Sequence, residues 1–152
     1  MQWLIVLLIL SNFVLANEAK ASDADCSIWL CLPMGFGEGC DDAKKAFKDR
    51  IKNFKPPLPD LMSCLVSGDM KPVLDSDVDS KEGIAALIPA RTIKGKYIPT
   101  HTVKDVRCHY YSNFRKPAGC STTIRYVDTY IDGGKYGGTF YFDNNGDAIN
   151  TP

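Results

Sequence analysis

Of the residues in this chain of 152, the six cysteines are the ones that could take part in the widest range of chemistry: Cys26, Cys31, Cys40, Cys64, Cys108 and Cys120. Thiols stay reduced in the cytosol, whereas in exported proteins they oxidise to disulfides. A redox-active pair would need the C-x-x-C spacing, which the chain lacks. Structural zinc needs close ligand pairs, but the nearest spacings are C-x4-C and, between His101 and His109, H-x7-H. The spacing therefore favours disulfides over a metal site.

The sequence determines the pairing of these cysteines only in part, because six cysteines permit fifteen pairings. Cys108 and Cys120 fall at the ends of neighbouring predicted strands, which favours a bond between them. Cys26 and Cys31 face different directions on one predicted helix, so a bond between those two is the least favoured. Two arrangements remain open: Cys26–Cys64 with Cys31–Cys40, which we favour, or Cys26–Cys40 with Cys31–Cys64. A disulfide closing a loop of this size contributes roughly 2–4 kcal/mol.

The sequence offers few candidate residues for acid–base or nucleophilic catalysis. Beyond the N-terminal segment the chain has two glutamates, Glu38 in a glycine-rich stretch and Glu82 beside a polar one. Both are expected to be exposed, whereas peptidoglycan cleavage needs a general acid in a sheltered pocket. A Cys–His nucleophile needs an unpaired thiol, and an even number of cysteines leaves none spare for His109. We predict no catalytic residue, no cofactor and no enzymatic activity.

Asp143, Asn145 and Asp147 alternate as the oxygen ligands of a calcium loop do. However, Gly146 stands where the EF-hand pattern requires another position, and no Glu follows to complete the ligand set. The segment is therefore predicted to be a turn, with no bound metal.

An apolar run at residues 3–15, WLIVLLILSNFVL, predicts the cellular localisation of the protein. It is shorter than the roughly twenty residues that cross a bilayer, and polar chain follows it at once. The pattern is typical of a signal peptide, which we assign to residues 1–21 with cleavage after Ala21, or alternatively after Ala16. No Lys or Arg precedes the run, so an uncleaved anchor is the competing interpretation. Cys26 does not directly follow either site, which argues against lipidation.

The predicted export and the net charge together restrict the classes of partner that the protein can bind. A cleaved signal places the protein in the periplasm, or outside the cell, where cysteines oxidise. The chain has 18 basic and 18 acidic residues, and the signal removes one of each, Lys20 and Glu18. A neutral chain lacks the basic surface that displaces counterions from nucleic acid. We therefore expect protein partners in the cell envelope, no direct nucleic acid contact, and no stable membrane anchor after cleavage.

The N-terminal half, residues 22–67, has helical periodicity. Its clearest segment is 40–54, CDDAKKAFKDRIKNF, which has five apolar residues on one face: Ala43, Ala46, Phe47, Ile51 and Phe54. Asp residues begin this helix and basic residues end it, which complements the helix dipole, and the prolines from Pro56 onward stop it. Shorter helices are predicted at 26–32 and 58–66. The glycine-rich stretch 33–39 is predicted to be an exposed loop.

The second half changes to β composition. Residues 68–83 are acidic and polar and are predicted to be a linker, with the β part at 84–150. Candidate strands are 91–98, 103–112, 121–131 and 139–143, and the glycines of 132–138 suit a hairpin loop. Helices followed by an antiparallel meander predict an α+β class, with residues 22–152 forming a single disulfide-stabilised domain.

Aromatic residues supply the candidate contact surface. Trp29 and Phe36 flank the loop 33–39, and Trp and Tyr are favoured anchors of protein interfaces. We predict that these two residues bind a partner. Most aromatic side chains of the sheet are expected to be core residues and cross-strand pairs, although a small sheet cannot bury aromatic residues on both faces.

Several segments share a pattern with a known group of proteins: DCSIWLCLP at 25–33, GF at 35–36, GC at 39–40, Ala43, Ala46, KPPLP at 55–59, SC at 63–64, VDTYIDG at 127–133 and GTFY at 138–141. The chain resembles small exported proteins encoded among the transfer genes of conjugative plasmids and integrative conjugative elements, labelled conjugal transfer proteins and sometimes TraL-type. The segments cover about half of the chain after the signal.

This resemblance implies a periplasmic accessory or structural component of a conjugative type IV secretion system, acting by protein–protein binding and without assigned catalytic residues. The alternatives are a secreted inhibitor or entry-exclusion factor, and an enzyme of the cell envelope that acts on peptidoglycan.

Overall fold

A computed structural model describes residues 22–67 and 76–151. The predicted signal peptide and residues 68–75 of the predicted linker lie outside these ranges. Within them the chain forms three helices, α1 (Asp23–Cys31), α2 (Asp41–Lys52) and α3 (Leu61–Ser67), with a 3₁₀ turn at Leu32–Met34. Eight strands follow: β1 (Val78–Ile88), β2 (Arg91–Ile93), β3 (Lys96–Ile98), β4 (His101–Lys104), β5 (His109–Tyr110), β6 (Arg115–Lys116), β7 (Thr122–Ile131) and β8 (Gly134–Phe142).

The strands form one antiparallel sheet in the order β4-β1-β7-β8 and two separate hairpins, β2–β3 and β5–β6. The helices come first along the chain and the antiparallel strands follow, which confirms the predicted α+β class. The turn between β7 and β8 is confined to Asp132 and Gly133, so most of the predicted loop 132–138 is strand instead.

Local signals in the sequence explain the helices. Ser22 and Asp25 form a reciprocal capping box at the start of α1. Helix α2 lies within the predicted segment 40–54 and buries Ala43, Phe47 and Ile51, as its periodicity predicts. Phe54, predicted for the same face, is 98% exposed, because the helix ends at Lys52 and the backbone turns there with a positive φ at Phe54. Helix α3 begins later than predicted, after the proline-rich stretch, where the Asp60 carboxylate accepts a hydrogen bond from the Ser63 amide at 2.9 Å.

Strand β1 differs most from the prediction, because it begins at Val78 inside the segment 68–83 assigned to a linker. It pairs with β7 over ten residues, from Val78 opposite Ile131 to Leu87 opposite Thr122. The first half of β1 carries polar side chains at exposed positions, so the composition of this segment resembles that of a loop. Two predicted strands are also interrupted: 91–98 turns at Lys94 and Gly95, and 103–112 is broken after Lys104.

The main core lies between the helices and one face of the sheet. Phe47 of α2 contacts Phe36, Phe140 and Phe142, with ring centroids 5.3, 5.4 and 5.0 Å away. Strand β8 approaches the 3₁₀ turn so closely that a Cβ at Gly137 would lie 2.5 Å from the Pro33 carbonyl oxygen. The helical half is therefore packed on the strands that carry the central Phe side chains.

All three favoured disulfides are present: Cys26–Cys64, Cys31–Cys40 and Cys108–Cys120. Two of them link the short helices and the loop after α1, and the third closes the β5–β6 hairpin. These bonds indicate an oxidising, exported environment. Among the helices that the described ranges contain, none is long and apolar enough to cross a membrane.

Candidate functional site

Trp29 and Phe36 do not form the exposed contact surface predicted for them. Each is only 8% exposed. Phe36 packs against Phe47 and Phe140 in the core, because the loop after α1 folds back over β8. The Trp29 indole donates a hydrogen bond to the Pro59 carbonyl oxygen at 3.1 Å. Both residues therefore pack within the helical half rather than project from it, and their binding to a partner stays a prediction.

Trp29 still reaches a surface feature, a shallow groove of about 340 Å³ between the proline-rich stretch and the sheet. Its walls are mostly apolar and its polar side chains come mainly from β1; it is lined by Trp29, Pro56, Pro57, Leu58, Pro59, Asp60, Leu61, Ser80, Glu82 and Val127. The Glu82 carboxylate is about half exposed and lies 3.8 Å from the Arg125 guanidinium. Glu38 is also exposed, so neither glutamate is sheltered as a general acid requires.

A group of three exposed aromatic rings lies elsewhere, on the segment 107–120, which we call the basic aromatic hairpin. Tyr110, Tyr111 and Phe114 are 60%, 50% and 60% exposed. The Tyr111 and Phe114 rings stack on each other across the tip, 4.6 Å apart and 15° from parallel. Exposed aromatic clusters are unusual on a domain that has no partner, since they are favoured anchors of interfaces.

Several bonds hold the basic aromatic hairpin in place. The disulfide Cys108–Cys120 closes its base and packs against Ala86 and Ile88 of β1. The Cys108 amide donates to Thr123 Oγ1 at 2.9 Å, and the Tyr110 hydroxyl donates to the Ser121 carbonyl oxygen. The hairpin therefore presents its rings on a rigid base rather than on a free loop.

Positive charge is concentrated on the same part of the chain. Residues 91–120 contain seven Lys and Arg against one Asp, and no acidic residue occurs from 106 to 127. Arg107, Arg115 and Lys116 are exposed, and the Arg115 guanidinium lies 5.2 Å from the centre of the Tyr110 ring. Sequence reasoning missed this surface because it used the net charge of the whole chain, which is zero. The local charge of residues 91–120 would have revealed it.

The opposite face of the main sheet carries a polar network centred on Tyr126. The Tyr126 hydroxyl donates to Asp105 Oδ1 at 2.6 Å, and Lys81 Nζ lies 3.1 Å from Asp105 Oδ2. The hydrogen bond from Tyr126, followed by that from Lys81, lowers the pKa of Asp105. Burial and the bond to Asp105 raise the pKa of Tyr126, and Asp105 raises the pKa of Lys81.

A second part of this face surrounds Asp128, whose side chain is 4% exposed. Lys104 Nζ and Lys135 Nζ lie 2.5 and 2.9 Å from its oxygens, and Thr139 Oγ1 donates at 2.6 Å. Burial raises the pKa of Asp128, but the hydrogen bonds from Lys104, Thr139 and Lys135 outweigh it and lower the pKa overall. The lowered pKa values make Asp128 and Asp105 weaker proton acceptors than an ordinary aspartate, which suits them to ion pairing.

The remaining candidates from the sequence occupy ordinary structural positions. Asp143 Oδ1 accepts hydrogen bonds from the amides of Asn145 and Asp147 at 2.8 and 2.9 Å, as expected for the predicted turn. Lys48 pairs with the Asp147 carboxylate and lowers its pKa. His109 is exposed at the start of the hairpin, and His101 Nδ1 lies 2.9 Å from the Pro99 carbonyl oxygen.

Comparisons with models of protein families, with curated proteins and with solved structures found no match to this chain.

Proposed function

We propose that this protein acts by binding another protein, and that the basic aromatic hairpin is the surface it uses. The observation that carries the proposal is the group of three exposed rings, Tyr110, Tyr111 and Phe114, on a hairpin closed by a disulfide. A rigid base lowers the entropy lost on binding, and Tyr and Arg side chains supply much of the energy of protein interfaces.

The proposed setting is the periplasm, where the protein serves as an accessory or structural component of a conjugative type IV secretion system. The support is the resemblance carried by residues 25–33, 55–59 and 127–133, together with the three disulfides that belong in an oxidising compartment. The proposal assigns the protein no catalytic step.

The test is to delete the gene separately in donor and recipient cells and to count transconjugants. We expect fewer transconjugants when the donor lacks the protein, with recovery by the wild-type gene. Unchanged transfer in donor deletions would refute the proposed role. An effect confined to recipients would instead support the entry-exclusion alternative.

A second comparison tests the surface itself. A donor carrying Tyr111→Ala with Phe114→Ala should transfer poorly, because both exposed rings are removed from the tip of the hairpin. The matched control is Met34→Ala with Met62→Ala, two exposed apolar side chains on the helical half. Equal amounts of exported protein must be present in both strains. Normal transfer by the hairpin variant would remove this surface from the proposal.

A further inference from the structure

We propose that the basic aromatic hairpin binds an acidic, extended segment of its partner protein. This inference rests on the proposed function, because it names the chemistry of the partner that the same surface takes. Positive charge and exposed aromatic rings coincide on one hairpin, 107–120, in a chain of zero net charge. Such a local concentration of one sign of charge selects a partner of the opposite sign.

The cations of the hairpin are available to a partner. Arg107 and Lys116 are exposed, and the neighbouring Asp105 is already paired with Lys81 and Tyr126. Arg115 donates through Nη1 to the Cys120 carbonyl oxygen at 3.0 Å. Because a guanidinium has five N–H donors in a fixed fork, this single bond positions Arg115 while its other donors can bind a carboxylate.

The β2–β3 hairpin extends the positive surface. The Arg91 guanidinium lies against Gly119, so closely that a Cβ at Gly119 would be 1.6 Å from Nη1. This contact places the base of one hairpin beside the other. Lys94 and Lys96, both exposed, follow Arg91 on the same short hairpin. The two hairpins together therefore present several cations to one extended partner.

The ring geometry favours a polypeptide over single-stranded nucleic acid. Bases bind such surfaces by stacking on free aromatic faces. Here Tyr111 and Phe114 each cover one face of the other, and Arg115 covers a face of Tyr110. Each ring therefore has only one face left for stacking, and its edge carries the positive end of the ring quadrupole, which suits carboxylates.

The backbone points to the same partner. Within the described ranges, the two-residue strands β5 and β6 pair only with each other, so each has an outer edge that no other described strand covers. An extended polypeptide can add hydrogen bonds along such an edge. Neither nucleic acid nor a lipid surface has a backbone that matches this pattern of donors and acceptors.

The experiment measures binding of labelled probes to the oxidised exported protein by fluorescence anisotropy. The main probe is a peptide of about twelve alternating Glu and Val residues, and its neutral counterpart has Gln in place of Glu. A single-stranded thymidine oligonucleotide and vesicles of phosphatidylcholine with phosphatidylglycerol are the competing probes. We expect the Glu peptide to bind, the Gln peptide to bind at least about tenfold more weakly, and salt to weaken the former.

The variant Arg107→Glu with Lys116→Glu should weaken binding of the Glu peptide about tenfold or more. The control Lys44→Glu with Lys45→Glu makes the same charge change on exposed positions of α2 and should change binding less than about twofold. Circular dichroism spectra and disulfide contents that match those of the wild type show that the variants fold, so a change in affinity then reports on binding. Tyr111→Ala with Phe114→Ala retains the charges and should also weaken binding.

Equal affinity for the Glu and Gln peptides, or no binding of the Glu peptide, overturns the inference. Tighter binding of the oligonucleotide or the vesicles, lost in the same hairpin variant, assigns the surface to that other ligand and also overturns it. Equal affinity for the two peptides, or no binding of the Glu peptide, leaves the proposed function standing if the hairpin variants still reduce DNA transfer. Assignment of the surface to the oligonucleotide or the vesicles removes the proposed protein-binding role as well.

Discussion

Tyr126 lies over Gly83, its direct partner across strands β1 and β7. A Cβ at Gly83 would lie 2.9 Å from Cε1, Cζ and Oη of Tyr126, so any larger residue must displace the ring. We expect Gly83→Ala to lower the free energy of unfolding by about 1–3 kcal/mol through overpacking. Urea unfolding measures this. The control is Gly138→Ala in β8, where an added Cβ meets nothing within 4 Å; equal stability of the two variants would contradict the prediction.

Asp128 gives the protein a defined dependence on pH. Its pKa is lowered in the folded state, so its contribution to stability is present above the ordinary pKa of an aspartate and is lost as the pH falls through the lower folded value. We expect Asp128→Asn to lower the free energy of unfolding by about 1–3 kcal/mol at neutral pH, because Lys104 and Lys135 lose their acceptor.

The difference between wild type and Asp128→Asn should shrink as the solution is acidified, since Asn resembles the protonated carboxyl. Urea unfolding at a series of pH values checks this. Asp49→Asn, at an exposed position of α2, is the control and should follow the wild type throughout. A difference that stays constant down to the acid transition would show that Asp128 does not act through its charge.

At the scale of elements, the Cys108–Cys120 bond determines whether the basic aromatic hairpin keeps its shape. It closes a segment with a sequence separation of 12, for which chain entropy predicts about 3 kcal/mol. We expect Cys108→Ala with Cys120→Ala to lower stability by an amount near this and to raise hydrogen exchange in residues 107–120. Exchange in β7 and α2 should change much less. Uniform changes over the whole chain would contradict this local role.

The predictions from sequence succeeded where a local pattern was strong. Helix α2 has regular apolar spacing, charges that complement its dipole and a proline stop, and it forms almost where predicted. Element positions predicted the Cys108–Cys120 bond, and helix geometry disfavoured a bond between Cys26 and Cys31. Two arrangements of the other four cysteines stayed open, and the favoured one is present. Strand β1 was missed because its polar first half is stabilised by pairing with β7 rather than by its own propensity.

The burial of the two candidate contact residues was missed for a similar reason. Trp29 and Phe36 border a glycine-rich loop that looks exposed in sequence, but the loop folds onto Phe47 and Phe140. Tyr111 and Phe114 are exposed instead, because their hairpin lies outside the main sheet. Which aromatic side chain is buried depends on tertiary packing, and alternation along a strand does not reveal it.

At the scale of the whole molecule, the proposed binding surface is separate from the main core. Two disulfides join the short helices that pack on this core, while the basic aromatic hairpin is closed by its own disulfide, which packs against β1. The binding surface can therefore be altered at exposed side chains without touching the Phe36–Phe47–Phe140 core. This separation is why the charge-reversal variants of the hairpin are expected to fold.

Reduction of all three disulfides should unfold the helical half. Helices of nine and seven residues, α1 and α3, are too short to be stable alone. Losing roughly 2–4 kcal/mol per bond removes most of the 5–15 kcal/mol, roughly, that stabilises a domain. Trp29, the only tryptophan after residue 21, should then leave its buried site and shift its fluorescence to longer wavelength. The oxidised Cys108→Ala, Cys120→Ala protein should keep the native emission, since its helical disulfides are intact; native emission after full reduction would mean that packing alone holds the helices.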